Sequence, residues 1–157
     1  MPETYEPIAT QTLTSSAGVT FSGIPQTYTD LILIANGSES AGSYFKLNFN
    51  GDTTSNYSRT IVRGTGTATL SARTTNEPAM YPDFDANTTA IINIMNYSNA
   101  TTFKTVLWRV GCPGVLVGLQ ANLWRKTPEA ITSIQITSSA GAGTITGTFT
   151  LYGIKAA

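Results

Sequence analysis

The alternating oxygen-bearing residues Asp83, Asp85 and Asn87 form the group whose spacing most resembles a metal site. Calcium takes several oxygen ligands, and a calcium loop of the EF-hand type places them at alternate positions. The rest of that pattern is missing, because Thr88 stands where the loop needs glycine and Ile94 where it needs a bidentate glutamate. We therefore expect a solvated acidic loop. A calcium site completed by oxygens from other loops is the alternative.

A carbohydrate-binding surface is the second candidate, formed by Trp124 with the amides of Gln120 and Asn122. Alternate side chains of a strand point to the same side, so these three residues share one face. An aromatic ring beside two amides can stack on a sugar ring and hydrogen-bond its hydroxyls. The alternative is that Trp124 packs beneath a loop or against a neighbouring subunit, since aromatic residues are enriched at interfaces.

Residues suited to catalysis are scarce in this chain. It contains no histidine, the commonest general base and metal ligand, and its one cysteine is Cys112. A glycosidase needs two carboxylates facing each other across a cleft, and the closest pair, Asp83 and Asp85, lies in a proline-flanked loop. The glycines of Gly64-Thr65-Gly66 do not lead into a helical pattern, so no phosphate-binding loop is predicted. We predict no enzyme and no cofactor, with Cys112 as a small buried hydrophobe.

The composition limits the classes of partner. The chain has 157 residues, the size of one domain, and can bury a core without disulfides. Charged residues make up 11%, against about 25% in typical soluble domains, and the formal net charge is zero. No clustered excess of Lys and Arg indicates nucleic-acid binding. No signal peptide is recognisable, and every apolar run is far shorter than the ~20 residues that span a bilayer.

Short runs of β-branched and aromatic residues alternate with turn signals along the whole chain. The turn signals recur roughly every 8–12 residues, which is typical of an all-β sandwich or barrel. We predict an antiparallel, jelly-roll-like β-sandwich of about ten short strands. Residues 1–157 form a single domain, with 1–6 as a short N-terminal arm. The longest irregular segment is 76–88.

The pair Asn50-Gly51 is the strongest local turn signal, because a type I′ turn needs positive φ at both central residues. Polar and apolar residues alternate from Tyr44 to Phe49 before it, and a second strand resumes at Tyr57. The pattern predicts a β-hairpin in which the turn fixes the register of the two strands.

The same stretch carries a family resemblance. FNGDTTSNYS (residues 49–58), read with YTDLILIANGS (28–38), resembles small β-sandwich modules of bacteriophage virion proteins, found in tail fibres and other exposed particle proteins. Three further pieces match, and together they cover nearly the whole chain: IINIMNYS (91–98), LWR (123–125) followed by AITSI (130–134), and FTLYGIK (149–155). The resemblance implies a structural or adhesive role on a virion made in the host cytoplasm. It brings no catalytic residues.

Two roles follow from the resemblance. In the first, the chain is a tail-fibre or baseplate module that binds host-surface carbohydrate. In the second, it is a capsid decoration, or cement, protein that stabilises the phage head. Both imply other virion proteins as partners, and the sequence does not distinguish between them.

Self-association is predicted from the run Leu31 to Ala35, which is apolar on both faces of its strand. A two-layer sandwich buries only one face of each sheet, so the second face must be covered. We expect a homo-oligomer, in particular a trimer, with Leu31, Leu33 and Trp108 at the interface. The alternatives are that segment 76–88 covers that face within one subunit, and that Trp108 is a core residue.

Overall fold

The computed structural model describes residues 4–41, 44–82 and 87–155. Within these ranges the chain forms eleven strands and no helix. The strands are β1 (Tyr5–Ser16), β2 (Gly18–Ser22), β3 (Asp30–Glu39), β4 (Phe45–Phe49), β5 (Tyr57–Gly64), β6 (Thr69–Glu77), β7 (Thr88–Ile94), β8 (Lys104–Cys112), β9 (Leu116–Trp124), β10 (Ser133–Ser138) and β11 (Ile145–Ile154). Since β1 begins at Tyr5, the predicted arm is shorter than residues 1–6.

The strands form two sheets of unequal size. The large sheet has eight strands in the order β1-β11-β3-β7-β8-β9-β5-β6, and the small sheet has three in the order β2-β10-β4. Every pairing between named strands is antiparallel. The prediction of an all-β, antiparallel sandwich is confirmed.

The core lies between the two sheets, where alternate residues of each strand point inward. Aromatic contacts join the sheets at two places: Phe45 of β4 lies 5.7 Å from Phe149 of β11, and Phe49 lies 5.5 Å from Trp124 of β9, both between ring centroids. Strands β8 and β9 alternate strictly between buried and exposed positions over most of their length. This two-residue period is what places one face of each strand in the core.

Strand β3 is buried on one face. It lies between β11 and β7, and its inward residues Leu31, Leu33 and Ala35 are buried. The outward residues Ile32 and Ile34 are only half-buried. The apolar run therefore has a core face and a partly exposed face, and in a single chain the second face is not fully covered.

The Asn50-Gly51 turn forms, but it does not join a hairpin. Both residues have positive φ, 50° and 68°, and the Asp52 N–H donates to the Phe49 carbonyl at 2.8 Å, closing the turn. Strand β4 pairs with β10 in the small sheet, whereas β5 pairs with β6 and β9 in the large sheet. The hairpin prediction is wrong, because the turn carries the chain from one sheet to the other.

The described part of the irregular segment lies beside the small sheet. Met80 and Leu47 exchange backbone hydrogen bonds of 2.9 and 3.0 Å, so this segment continues the small sheet beyond β4. The Pro78 carbonyl accepts a bond of 2.8 Å from the Asn48 side chain. Residues 78–82 thus cover the inner side of the large sheet and leave its opposite side open.

Candidate interaction surface

The proposed carbohydrate-binding residues lie inside the sandwich. Trp124, Gln120 and Asn122 share one face of β9, as the alternation predicts, but they are only 2%, 3% and 0% exposed. The carbohydrate prediction for these residues is therefore wrong, and the alternative that Trp124 packs beneath a loop is confirmed. On this inward face, Trp124 donates to a loop carboxylate, that of Asp52, and Gln120 donates to the Tyr81 carbonyl.

Asp52 is the group that meets Trp124. The indole Nε1 donates to Asp52 Oδ2 at 2.7 Å, and Asn56 Nδ2 donates to the same oxygen at 2.9 Å. The backbone N–H and the hydroxyl of Thr54 donate to Oδ1 at 3.0 and 2.5 Å. Burial alone would raise the pKa of Asp52, but these hydrogen bonds outweigh it and lower the pKa to about 2.

Tyr57 completes this cluster beneath the turn. Its ring stacks on Trp124 with a centroid distance of 6.4 Å and an angle of 16° between the planes. Its hydroxyl donates to the Asp52 carbonyl at 3.0 Å and accepts from the Phe49 N–H at 3.1 Å. Burial raises the pKa of the Tyr57 phenol above its ordinary value. Every polar group here bonds to a neighbour in the chain, so the cluster serves the fold.

Three residues predicted at a subunit interface are also in the core. Leu31 and Leu33 of β3 and Trp108 of β8 point inward and are essentially inaccessible to solvent. Their prediction as interface residues is wrong, because each belongs to the inner face of its strand. Trp108 is a core residue, one of the two alternatives for it. Cys112 is buried, as predicted.

The structure describes only one of the three residues of the calcium candidate. Asp83 and Asp85 lie outside the described residues. Asn87 is exposed and has a φ of 56°. Among residues 4–41, 44–82 and 87–155, no group of three or more His, Cys, Asp or Glu side chains could hold a metal ion.

The side of the large sheet that faces away from the small sheet is the most extended candidate site; we call it the outer face. The register places five outward side chains in one row across β3, β7, β8, β9 and β5. The row reads Ile34, Ile91, Arg109, Leu119 and Val62. Four of its five members are apolar, which is unusual for the solvent side of an antiparallel sheet.

Exposure on the outer face is highest along β9 and β5. Val117, Leu119 and Val62 are 65%, 58% and 56% exposed, and Leu107 and Leu123 are also exposed. Contiguous apolar surface of this kind usually marks an interaction site in a soluble protein. This apolar surface is already present as a pattern in the sequence of β9. Its apolar residues Val117, Leu119, Ala121 and Leu123 alternate with Gly118, Gln120, Asn122 and Trp124. The alternation does not reveal which set faces the core.

Arg109 stands in the middle of this apolar surface. Three shallow depressions of the outer face all border on its side chain: one beside Val62 and Val117, one beside Leu107 and Ala121, and one lined by Tyr5, Ile32 and Tyr152. Neither its row nor the rows on either side contain a carboxylate. A partner that covers this face must therefore bring an acceptor for the guanidinium.

Comparison with known proteins does not assign the chain to a family. No protein-family model matches the chain, and no curated protein matches it in sequence. None of the described residues belongs to a helix of the length and apolar character required to cross a membrane. The likeness to phage virion modules stays a prediction that rests on the sequence motifs.

Proposed function

We propose that this chain is a non-enzymatic structural protein of a bacteriophage particle, exposed on the particle surface. The motifs that resemble phage virion modules support this role, and so does the all-β fold that the resemblance implies. The observation that carries the proposal is the apolar outer face, centred on Leu119 and Arg109. A protein whose work is assembly needs such a surface, whereas an enzyme needs a pocket with convergent polar groups.

Carbohydrate binding is not part of this proposal. The residues that suggested it, Trp124, Gln120 and Asn122, face the core and cannot reach a glycan in this fold. A protein–protein role, in a tail or baseplate or as a decoration of the head, is supported by the exposed apolar surface. Finding the chain on the tail or on the head of the particle would distinguish these two roles.

The experiment is to locate the chain on purified particles of the phage that encodes it. Mass spectrometry should find the chain among the particle proteins, and immunogold electron microscopy should mark either the tail or the head. Particles made without the gene, and carrying no label, are the control. Absence of the chain from purified wild-type particles would overturn the proposal.

We propose further that copies of the chain associate through the outer face. Eight strands of 7 to 12 residues, spaced about 4.8 Å apart and rising about 3.3 Å per residue, offer a surface on the order of 1,000 Å². A stable interface buries about that area on each partner. The central row of the outer face carries one charged side chain, that of Arg109, so most of the face is free of charge repulsion between copies.

Arg109 favours a ring of copies over a two-fold pair. A two-fold interface places the same surface against itself. Two Arg109 side chains would then share an apolar interface whose central rows supply no carboxylate. In a ring the outer face of one copy meets a different surface of the next, which can supply an acceptor. The proposed trimer is the smallest closed ring of this kind.

A further inference from the structure

Three polar side chains lie together on the inner face of β8 and β9. Trp108 and Gln120 are directly opposite each other, and Asn122 follows Gln120 two residues along the same strand. Opposite side chains in an antiparallel pair have Cβ atoms about 5 Å apart, and diagonal neighbours lie about 7–8 Å apart. All three side chains are almost completely buried.

Four polar atoms of this group have no hydrogen-bond partner among the described residues. They are Trp108 Nε1, Gln120 Oε1, and both Oδ1 and Nδ2 of Asn122. The orientation of the Gln120 amide is fixed, because its Nε2 donates to the Tyr81 carbonyl at 3.3 Å. Rotating the Asn122 amide would not help, since neither of its positions has a partner. Buried polar groups of folded proteins are nearly always paired, with protein or with ordered water.

We infer that these atoms are hydrogen-bonded to buried water. The unpartnered atoms are two donors and two acceptors, which matches a molecule that both donates and accepts. A cation would be repelled by the two N–H groups, and an anion by the two amide oxygens. One water can accept from the Asn122 N–H and donate to the Asn122 oxygen, and further bonds can join it to Gln120 Oε1 and Trp108 Nε1. Such a water then has the two or more polar partners that a buried water needs.

The buried water lies next to the point where segment 78–82 is fastened to the large sheet. The Tyr81 carbonyl accepts from Arg59 Nη1 at 2.7 Å as well as from Gln120. Arg59 is directly opposite Asn122 across the β5–β9 pair. The hydrated site therefore links the large sheet to this segment, and it is independent of the proposed role on a phage particle.

Nuclear magnetic resonance tests the inference in solution with a control inside the same chain. The two indole N–H protons are distinguished with Trp108→Phe and Trp124→Phe variants. The Trp108 indole proton should show a direct cross-peak to a long-lived water. The Trp124 indole proton should show none, because its N–H is bonded to Asp52. Equal behaviour of the two indoles, or a water cross-peak on Trp124 alone, would overturn the inference.

A crystal structure at high resolution gives the second test. We expect ordered water at hydrogen-bond distance from Trp108 Nε1, Gln120 Oε1 and the Asn122 amide. An empty site would refute the inference, and so would a protein side chain in the place of the water. Refinement with each amide in both orientations separates a real water contact from a misassigned oxygen or nitrogen.

Discussion

Asp52 determines how the turn after β4 packs on the large sheet. Its carboxylate accepts four hydrogen bonds, three from Thr54 and Asn56 within the same loop and one from Trp124, which lies 72 residues further along the chain. The three local bonds shape the loop, and the fourth fastens it to β9. A buried carboxylate is tolerated here because donors satisfy both of its oxygens.

Replacing Trp124 with Phe should cost more stability than replacing Trp108 with Phe. Both rings are buried, so the loss of ring volume is similar. Only Trp124→Phe also removes a donor from a buried carboxylate, and hydrogen bonds to charged groups contribute roughly 1.5–3 kcal/mol. We expect the difference in the free energy of unfolding to be about 2 kcal/mol, measured by chemical denaturation. Equal losses for the two variants would show that the Asp52 contact contributes nothing.

Asp52 should also make stability depend on acid pH. The folded-state pKa of about 2 is lower than the ordinary value of about 3.9, so ionised Asp52 stabilises the fold above about pH 4. That contribution is lost as the pH falls from about 4 to 2, by about 2 kcal/mol for a shift of this size. Denaturation midpoints across this range should fall for the wild type. Asp52→Asn, less stable at neutral pH, should show a smaller fall in that interval. The same slope in both proteins would assign the acid sensitivity to other carboxylates.

Which side chains share a face of a strand was predictable from the sequence, but the contacts that those side chains make were not. The alternation along β9 correctly groups Gln120, Asn122 and Trp124 on one side. Both faces of β9 have a mixed or apolar composition, so the pattern alone does not decide which one faces inward. The deciding partners, Asp52 and the Tyr81 carbonyl, are far away in sequence. A tryptophan beside amides therefore looks the same in the sequence whether it faces a glycan or a buried carboxylate.

At the level of elements, local turn chemistry was predictable and strand pairing was not. The Asn50-Gly51 geometry follows from two adjacent residues, and the structure has the expected positive φ at both. Whether β4 and β5 pair depends on β10 and β9, which offer them better partners in different sheets. A tight turn signal therefore indicates a reversal of the chain, and pairing across it is a separate question.

Gly51→Val should destabilise the protein through its backbone alone. Gly51 has a φ of 68°, and a Cβ added there would meet no atom within 4 Å. A β-branched residue is strained at positive φ, so we expect a loss of about 1–3 kcal/mol in the free energy of unfolding. Gly111→Val is the matched control, because an added Cβ there is equally unhindered and no positive φ is required. A thermal melt in which both variants match the wild type would contradict the strain argument.

For the molecule as a whole, composition and periodicity predicted the class of fold but not the unequal sheets. The spacing of turn signals predicts the number of strands. Their division into sheets of eight and three strands depends on long-range pairings such as β1 with β11 and β3 with β7. This division determines which surface becomes the outer face. A small sheet covers one side of a large one, and the opposite side of the large sheet remains exposed with its apolar residues.

Association through the outer face predicts the mass of the protein in solution. At micromolar concentration the wild-type protein should sediment with three times its chain mass of 16.6 kDa. Leu119→Lys should give the monomer, because it places a second positive charge directly opposite Arg109 in the middle of the outer face, on a residue already 58% exposed. Surface substitutions usually change stability by about 0.5 kcal/mol or less, so the folded monomer should persist. Sedimentation equilibrium measures the mass, and circular dichroism checks the fold.

Thr20→Lys is the control, since Thr20 is an exposed strand residue of β2 in the small sheet. It should leave the trimer intact. If Thr20→Lys dissociates the trimer and Leu119→Lys does not, the small sheet is the interface and the apolar outer face has another partner. A wild-type monomer would rule out self-association in solution. A wild-type dimer that Leu119→Lys dissociates would contradict the argument from Arg109, because two outer faces would then pair despite their like charges.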